Sequence, residues 1–196
     1  MFKIIKNIKK QKIKELEADQ DNLYELYFLA RKYRTELYEL SVKDHSWNLK
    51  YVPIELRTPE LCKLALENDE LAFRWVPNHL KTIPMCLDVV TKNVFMFKYV
   101  PDEFKTLEIC NIAVKQNGMA LGYVPEGVMT IELCEIAVRE SGEYLYYVPE
   151  QFRTFELCEI AVKDSGSWAI EFVPKEFKEE LAEKYDIDLP EKSKGR

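Results

Sequence analysis

The side chains best suited to chemistry in this chain are five cysteines and two histidines. The cysteines are Cys62, Cys86, Cys110, Cys134 and Cys158, at a constant interval of 24 residues. Metal sites group their ligands in short pairs, and disulfide frameworks use irregular spacings and even counts. An unbroken arithmetic series does neither. It describes one structural position that recurs and accepts a small buried thiol. His45 and His79 fall in different repeats, and neither has a cysteine or carboxylate at a spacing typical of zinc. His79 with Cys86 is the one conceivable nucleophile pair. However, a nucleophilic thiol needs an unusual environment, and four other repeats place the same residue at the Cys86 position. There is no phosphate-binding glycine loop, no G-x-S-x-G and no H-E-x-x-H. The many Asp and Glu single out no carboxylate pair. The reading is a non-enzyme with no catalytic residue, no metal ligand and no cofactor.

The same period governs the rest of the chain. Pro53, Pro77, Pro101, Pro125 and Pro149 are 24 apart, and Pro174 follows after 25 because SGSWAIEFVP carries one extra residue. Each proline closes an aromatic-Val-Pro triplet, as in Tyr51-Val52-Pro53 and Tyr123-Val124-Pro125. Five residues after each of the first five prolines stands a threonine: Thr58, Thr82, Thr106, Thr130 and Thr154. Threonine caps helices well because its oxygen accepts a free first-turn N–H. Glu60, Glu108, Glu132 and Glu156 then lie in first turns, where a negative charge suits the helix dipole. In TIELCEIAVRESG, the apolar residues Leu133, Cys134, Ile136, Ala137 and Val138 form one face of a three-turn helix, and Ser-Gly or Asn-Gly stops it.

The second element of each repeat, such as FMFKYVP or YLYYVP, admits two readings. Partial alternation suits a short strand. A short α- or 3₁₀-helix ended at the residue before proline fits as well, and the absence of the leucine-rich-repeat signature favours the helix. One repeat cannot bury its own apolar face, so neighbours must stack. The expected fold is all-α: a right- or left-handed solenoid of about five 24-residue helical repeats with N- and C-terminal caps. Residues 1–34 form a basic helical arm or cap, 35–52 a degenerate repeat, 53–174 the five repeats, and 175–196 a capping helix and tail. In the degenerate repeat Tyr38 takes the cysteine position and Val42 that of Leu66. The aromatic of each triplet is expected in the core.

These units resemble the short helical tandem repeats of an uncharacterised family, a domain of unknown function found in bacterial and giant-virus proteins. The closest match runs from Ala113 to Val124, AVKQNGMALGYV. Ala137-Val138 and Ala161-Val162 keep its start, whereas Lys92-Asn93 departs from the glycine. The resemblance covers most of residues 37–178. It implies a helical array and no particular activity.

Charge is unevenly spread. The net charge is -6, yet residues 1–14 carry six lysines and no acid, so the remainder sums to -12. The N-terminal residues have lysines throughout and neither an apolar core nor a small-residue cleavage site, which is no secretory signal. No stretch approaches the roughly 18 apolar residues of a membrane span. Cysteines without a disulfide pattern point to a reducing, cytoplasmic setting.

In a repeat array the shared residues build the core, and partner choice lies in columns that vary or face solvent. The third residue before each proline is Lys50, Arg74, Lys98, Gly122, Tyr146 and Glu171. The fourth after it is Arg57, Lys81, Lys105, Met129, Arg153 and Lys178. Both columns are basic in the N-terminal half. They read either as stripes that hold an acidic partner, or as cations serving helix C-termini and neighbouring glutamates. Tyr144 and Tyr146 add an aromatic patch suited to protein contact. The functional expectation is non-catalytic binding of a protein with an acidic or mixed surface, an inhibitor or immunity protein being one form of it. The alternative is nucleic-acid binding through the basic arm and stripe. Oligomeric state is not legible.

Overall fold

The computed structural model describes residues 23–189, with side chains from residue 34; the lysine-rich stretch 1–14 lies outside them. The regular structure of the described residues is all helical, with no strand among them. Among the described residues seven α-helices occur: α1 Leu23–Asp44, α2 Pro59–Asn68, α3 Ile83–Lys92, α4 Leu107–Gln116, α5 Ile131–Glu140, α6 Phe155–Ile170 and α7 Lys175–Lys184. Five six-residue 3₁₀ helices alternate with them: η1 Ser46–Tyr51, η2 Glu70–Trp75, η3 Val94–Tyr99, η4 Gly118–Tyr123 and η5 Gly142–Tyr147. The strand reading of the second element is thereby set aside.

Each local signal in the sequence has its structural counterpart. Thr58, Thr82, Thr106, Thr130 and Thr154 each accept the N–H three residues on, at 3.3–3.4 Å. Helices α2 to α5 start 24 residues apart and are all ten residues long. Each then stops at a polar residue with two roles. Asn117 donates its backbone N–H to the Ala113 carbonyl, ending α4, while its side chain accepts from Met119 N at 2.9 Å, starting η4. Asp69, Asn93 and Ser141 start their 3₁₀ helices in the same way. The valine before each proline is extended, with ψ of 123 to 128° in η1 to η5, because proline excludes the helical geometry there.

The described residues fall into two compact units that divide between Pro77 and Asn78. In the first, α1 packs on α2 and η1 on η2. In the second, α3, α4, α5, α6 and α7 pack each on the next, and η3, η4 and η5 do likewise. Each unit therefore has an α layer and a 3₁₀ layer. The α layer contributes residues such as Ile109, Cys110, Ala113 and Val114, none measurably exposed. The 3₁₀ layer contributes Leu49 and Phe73 in the first unit, and Phe97, Leu121 and Leu145 in the second. Burying each large side chain of this kind is worth about 1.5–3 kcal/mol.

The triplet aromatic is not the core residue the sequence suggests. Tyr51 is 63% exposed and Tyr123 45%; Trp75, Tyr99 and Tyr147 are half-buried. The reason is the 3₁₀ period. With three residues per turn, positions three apart eclipse one another. The buried valine therefore shares its face with the residue three before it, Phe97 for Val100 and Leu121 for Val124. The aromatic between them is turned aside.

In the last repeat, which carries the extra residue before Pro174, Gly166 has a φ of +51° and a ψ of -126° that break α6. Residues with a Cβ rarely adopt that backbone.

Candidate partner-binding face

The two basic columns have opposite fates. In the column after the proline, the cations turn inward. Arg57 donates from Nε to the Val52 carbonyl at 2.9 Å, and its two terminal nitrogens donate to the carbonyls of Trp75 at 2.7 Å and Lys50 at 3.2 Å. Arg153 repeats the pattern on Val148 and Phe172, both at 2.8 Å. Lys81 Nζ donates to Tyr99 O at 2.6 Å and Asn78 Oδ1 at 3.1 Å, and only 6% of the residue is exposed. Lys105 Nζ pairs with Asp102 at 2.7 Å, lies 5.3 Å from the Phe97 ring, and is 7% exposed. Arg57, Lys81 and Arg153 thus donate to carbonyls at helix ends, for Arg57 and Lys81 including that of the next repeat's 3₁₀ helix, where a positive charge is favourable. As a partner-contacting stripe, Arg57, Lys81 and Lys105 are corrected by this placement: their head groups are engaged inside the fold. Burial also lowers the Lys81 ammonium below the usual lysine range.

The column before the proline faces out. Lys50 and Arg74 in the first unit, and Lys98 in the second, are exposed. Each lies over aromatic rings of its own 3₁₀ helix. Lys50 Nζ is 4.7 Å from the Trp47 ring and 4.5 Å from Tyr51, the Arg74 guanidinium 5.2 Å from Trp75, and Lys98 Nζ 5.1 Å from Tyr99. The next member is Gly122, where an added Cβ would sit 2.7 Å from the Tyr147 ring; the following repeat's tyrosine fills that space. Tyr146 then stands 57% exposed, edge-on to Tyr147 at 5.0 Å and to Phe172 at 5.2 Å. Tyr144 is half-buried, 6.3 Å from Tyr147.

Sequence reasoning missed the partner of this column. Three residues earlier, eclipsed with it, stand Trp47 and Leu71 in the first unit and Phe95 and Met119 in the second, 38 to 62% exposed. The signal that could have found them is the threefold period of a 3₁₀ helix, which turns these apolar residues outward with the cations. In the second unit Phe95, Lys98, Met119 and Tyr123 line a groove of about 170 Å³ between η3 and η4.

The five thiols form no such face. All are fully buried and free, and desolvation pushes each up to about 11. That is the opposite of an activated thiolate. Cys110 Sγ donates to the Lys105 carbonyl at 3.6 Å, so the thiol serves the turn before its helix. His79 of the conceivable nucleophile pair is exposed, whereas Cys86 is fully buried. No helix among the described residues is long and apolar enough to cross a membrane.

An all-helical fold of tandem 24-residue repeats, with cations and large apolar groups on the outer face of its 3₁₀ layer, is the class defined by these observations. Residues 85–128 and 130–178 each match the model of a family described as a domain of unknown function (DUF4116). Both matches lie side by side in the second unit and agree with the resemblance noted from the residues themselves. No curated protein and no solved structure gives a significant match to the chain.

Proposed function

We propose that the chain is a non-catalytic binding module that holds a protein partner on the outer face of its 3₁₀ helices. One observation carries this reading: each unit exposes large apolar and aromatic side chains near its outer cations, Trp47 and Tyr51 with Lys50 in the first, and Phe95, Met119 and Tyr146 with Lys98 in the second. Interfaces are enriched in aromatic residues, methionine and cations of this kind. The partner surface is acidic or mixed, to match the cations, and an inhibitor or immunity role is one form such binding takes. Five buried free thiols suit a reducing, cytoplasmic compartment.

The test is capture of partners from the source cell, with and without nuclease. Protein bands that survive nuclease and fade in the Lys50→Glu/Lys98→Glu variant support the reading. Capture that vanishes with nuclease overturns it in favour of nucleic-acid binding through the basic arm. The interaction should also weaken as salt shortens the screening length below about 10 Å.

A further inference from the structure

The groove between η3 and η4 has a chemistry of its own. Its walls are Val94, Phe95, Phe97, Met119, Ala120 and Tyr123, and its polar lining consists of Lys98 and Asn117. Phe95, Met119 and Tyr123 are 62%, 41% and 45% exposed, so their apolar surface is available to a visitor. A cavity of about 150 Å³ accommodates a benzene ring; at about 170 Å³, the groove has room for one aromatic or long aliphatic side chain.

The polar groups are donors. Lys98 Nζ is exposed and touches only the face of Tyr99, at 5.1 Å, among the described contacts. The Asn117 side-chain oxygen is occupied, accepting from Met119 N at 2.9 Å. That fixes its amide so that the NH₂ group is the end left to donate. No carboxylate lines the groove. An apolar floor rimmed by an ammonium and an amide NH₂ complements an apolar side chain whose neighbour is a carboxylate.

We infer that this groove is a docking site for an internal protein segment in which an aromatic or long apolar residue is followed by Asp or Glu. The apolar side chain lies on Phe95, Met119 and Tyr123, the carboxylate meets Lys98, and a main-chain carbonyl accepts from Asn117. An internal segment fits better than a chain end because the outer face continues past the groove: η4 packs on η5, which carries the exposed Tyr146. The inference rests on the protein-binding reading above and names the chemistry of its partner.

The experiment follows the Met119 methyl resonance of the full chain during titration with three probes. These are the capped peptide acetyl-Ala-Phe-Glu-Ala-amide, its Gln counterpart, and N-acetylphenylalanine. The Glu peptide should shift Met119 saturably, and the Gln peptide should bind about two- to fivefold more weakly, the factor an exposed ion pair supplies. Lys98→Met should make the two peptides equal, while Phe95→Ser should weaken both. An unchanged resonance of the buried Met96 in each variant reports an intact fold. Equal binding of Glu and Gln peptides to the wild type, or no shift of Met119 up to the solubility limit, overturns the inference. So does tighter binding of N-acetylphenylalanine, which would mark a chain-end site. Any of these results refutes the groove alone. The protein-binding reading falls only if nuclease-treated capture fails.

Discussion

Lys81 and Lys98 look alike in sequence, and replacing each by methionine separates the two basic columns. Methionine keeps the apolar stem and removes only the charge and its donors. At Lys81 the change deletes hydrogen bonds of 2.6 Å to Tyr99 O and 3.1 Å to Asn78 Oδ1 from a residue 6% exposed. Hydrogen bonds to a charged group contribute about 1.5–3 kcal/mol each. Against this stands the relief of burying an ammonium, the same desolvation that lowers its pKa. The net expectation for Lys81→Met is a loss of about 2 kcal/mol. For a chain of this size that corresponds to a melting point lower by roughly 4–8 °C. Lys98 is exposed, and its interaction with Tyr99 at 5.1 Å is solvated. Lys98→Met should move stability by no more than about 0.5 kcal/mol. Partner capture should respond in the reverse order, falling for Lys98→Met and holding for Lys81→Met below its melting point. Thermal melts beside surface-capture affinities decide it. A Lys81 variant as stable as wild type, or a Lys98 variant that melts early, would refute the division of the cations into inner and outer sets.

Two further outcomes follow from the geometry. Phe97, 1% exposed, should cost about 3–5 kcal/mol when replaced by alanine, and Tyr123, 45% exposed, clearly less; urea midpoints in the reverse order would return the triplet aromatic to the core. The five thiols should react with a disulfide reagent only after denaturation, since all are buried. Each folded-state thiol is raised from 9.0 to about 11, so above 9.0 the unfolded chain gives up protons that the folded chain keeps. Their contribution to stability is therefore whole below pH 9.0 and is lost as pH rises through about 11. Denaturant midpoints that stay level across that window would contradict it.

Much of this protein is legible one residue at a time. Thr130 announces a helix start because a hydroxyl three residues before Leu133 N can do little else as well. Asn117 announces a stop, Val124-Pro125 forbids continuation, and the 24-residue recurrence of Cys62 to Cys158 declares a repeated core position. Those signals act through local sterics and hydrogen bonding, so they need no tertiary context. The second element was ambiguous because six residues match a strand, an α-turn and a 3₁₀ turn almost equally. Packing against the α layer selected 3₁₀, and its threefold period then decided which side chains are inside. Phe97 went in and Phe95 out, although both are aromatic and two residues apart. The same holds for the cations. Lys81 and Lys98 belong to different columns of the repeat, but nothing in either column tells which faces inward; Lys81 is placed where the Tyr99 carbonyl, 18 residues on, comes within 2.6 Å. Which charge satisfies a neighbour and which is left for a partner depends on carbonyls brought close by the stacking of repeats, and only the folded chain contains that distance.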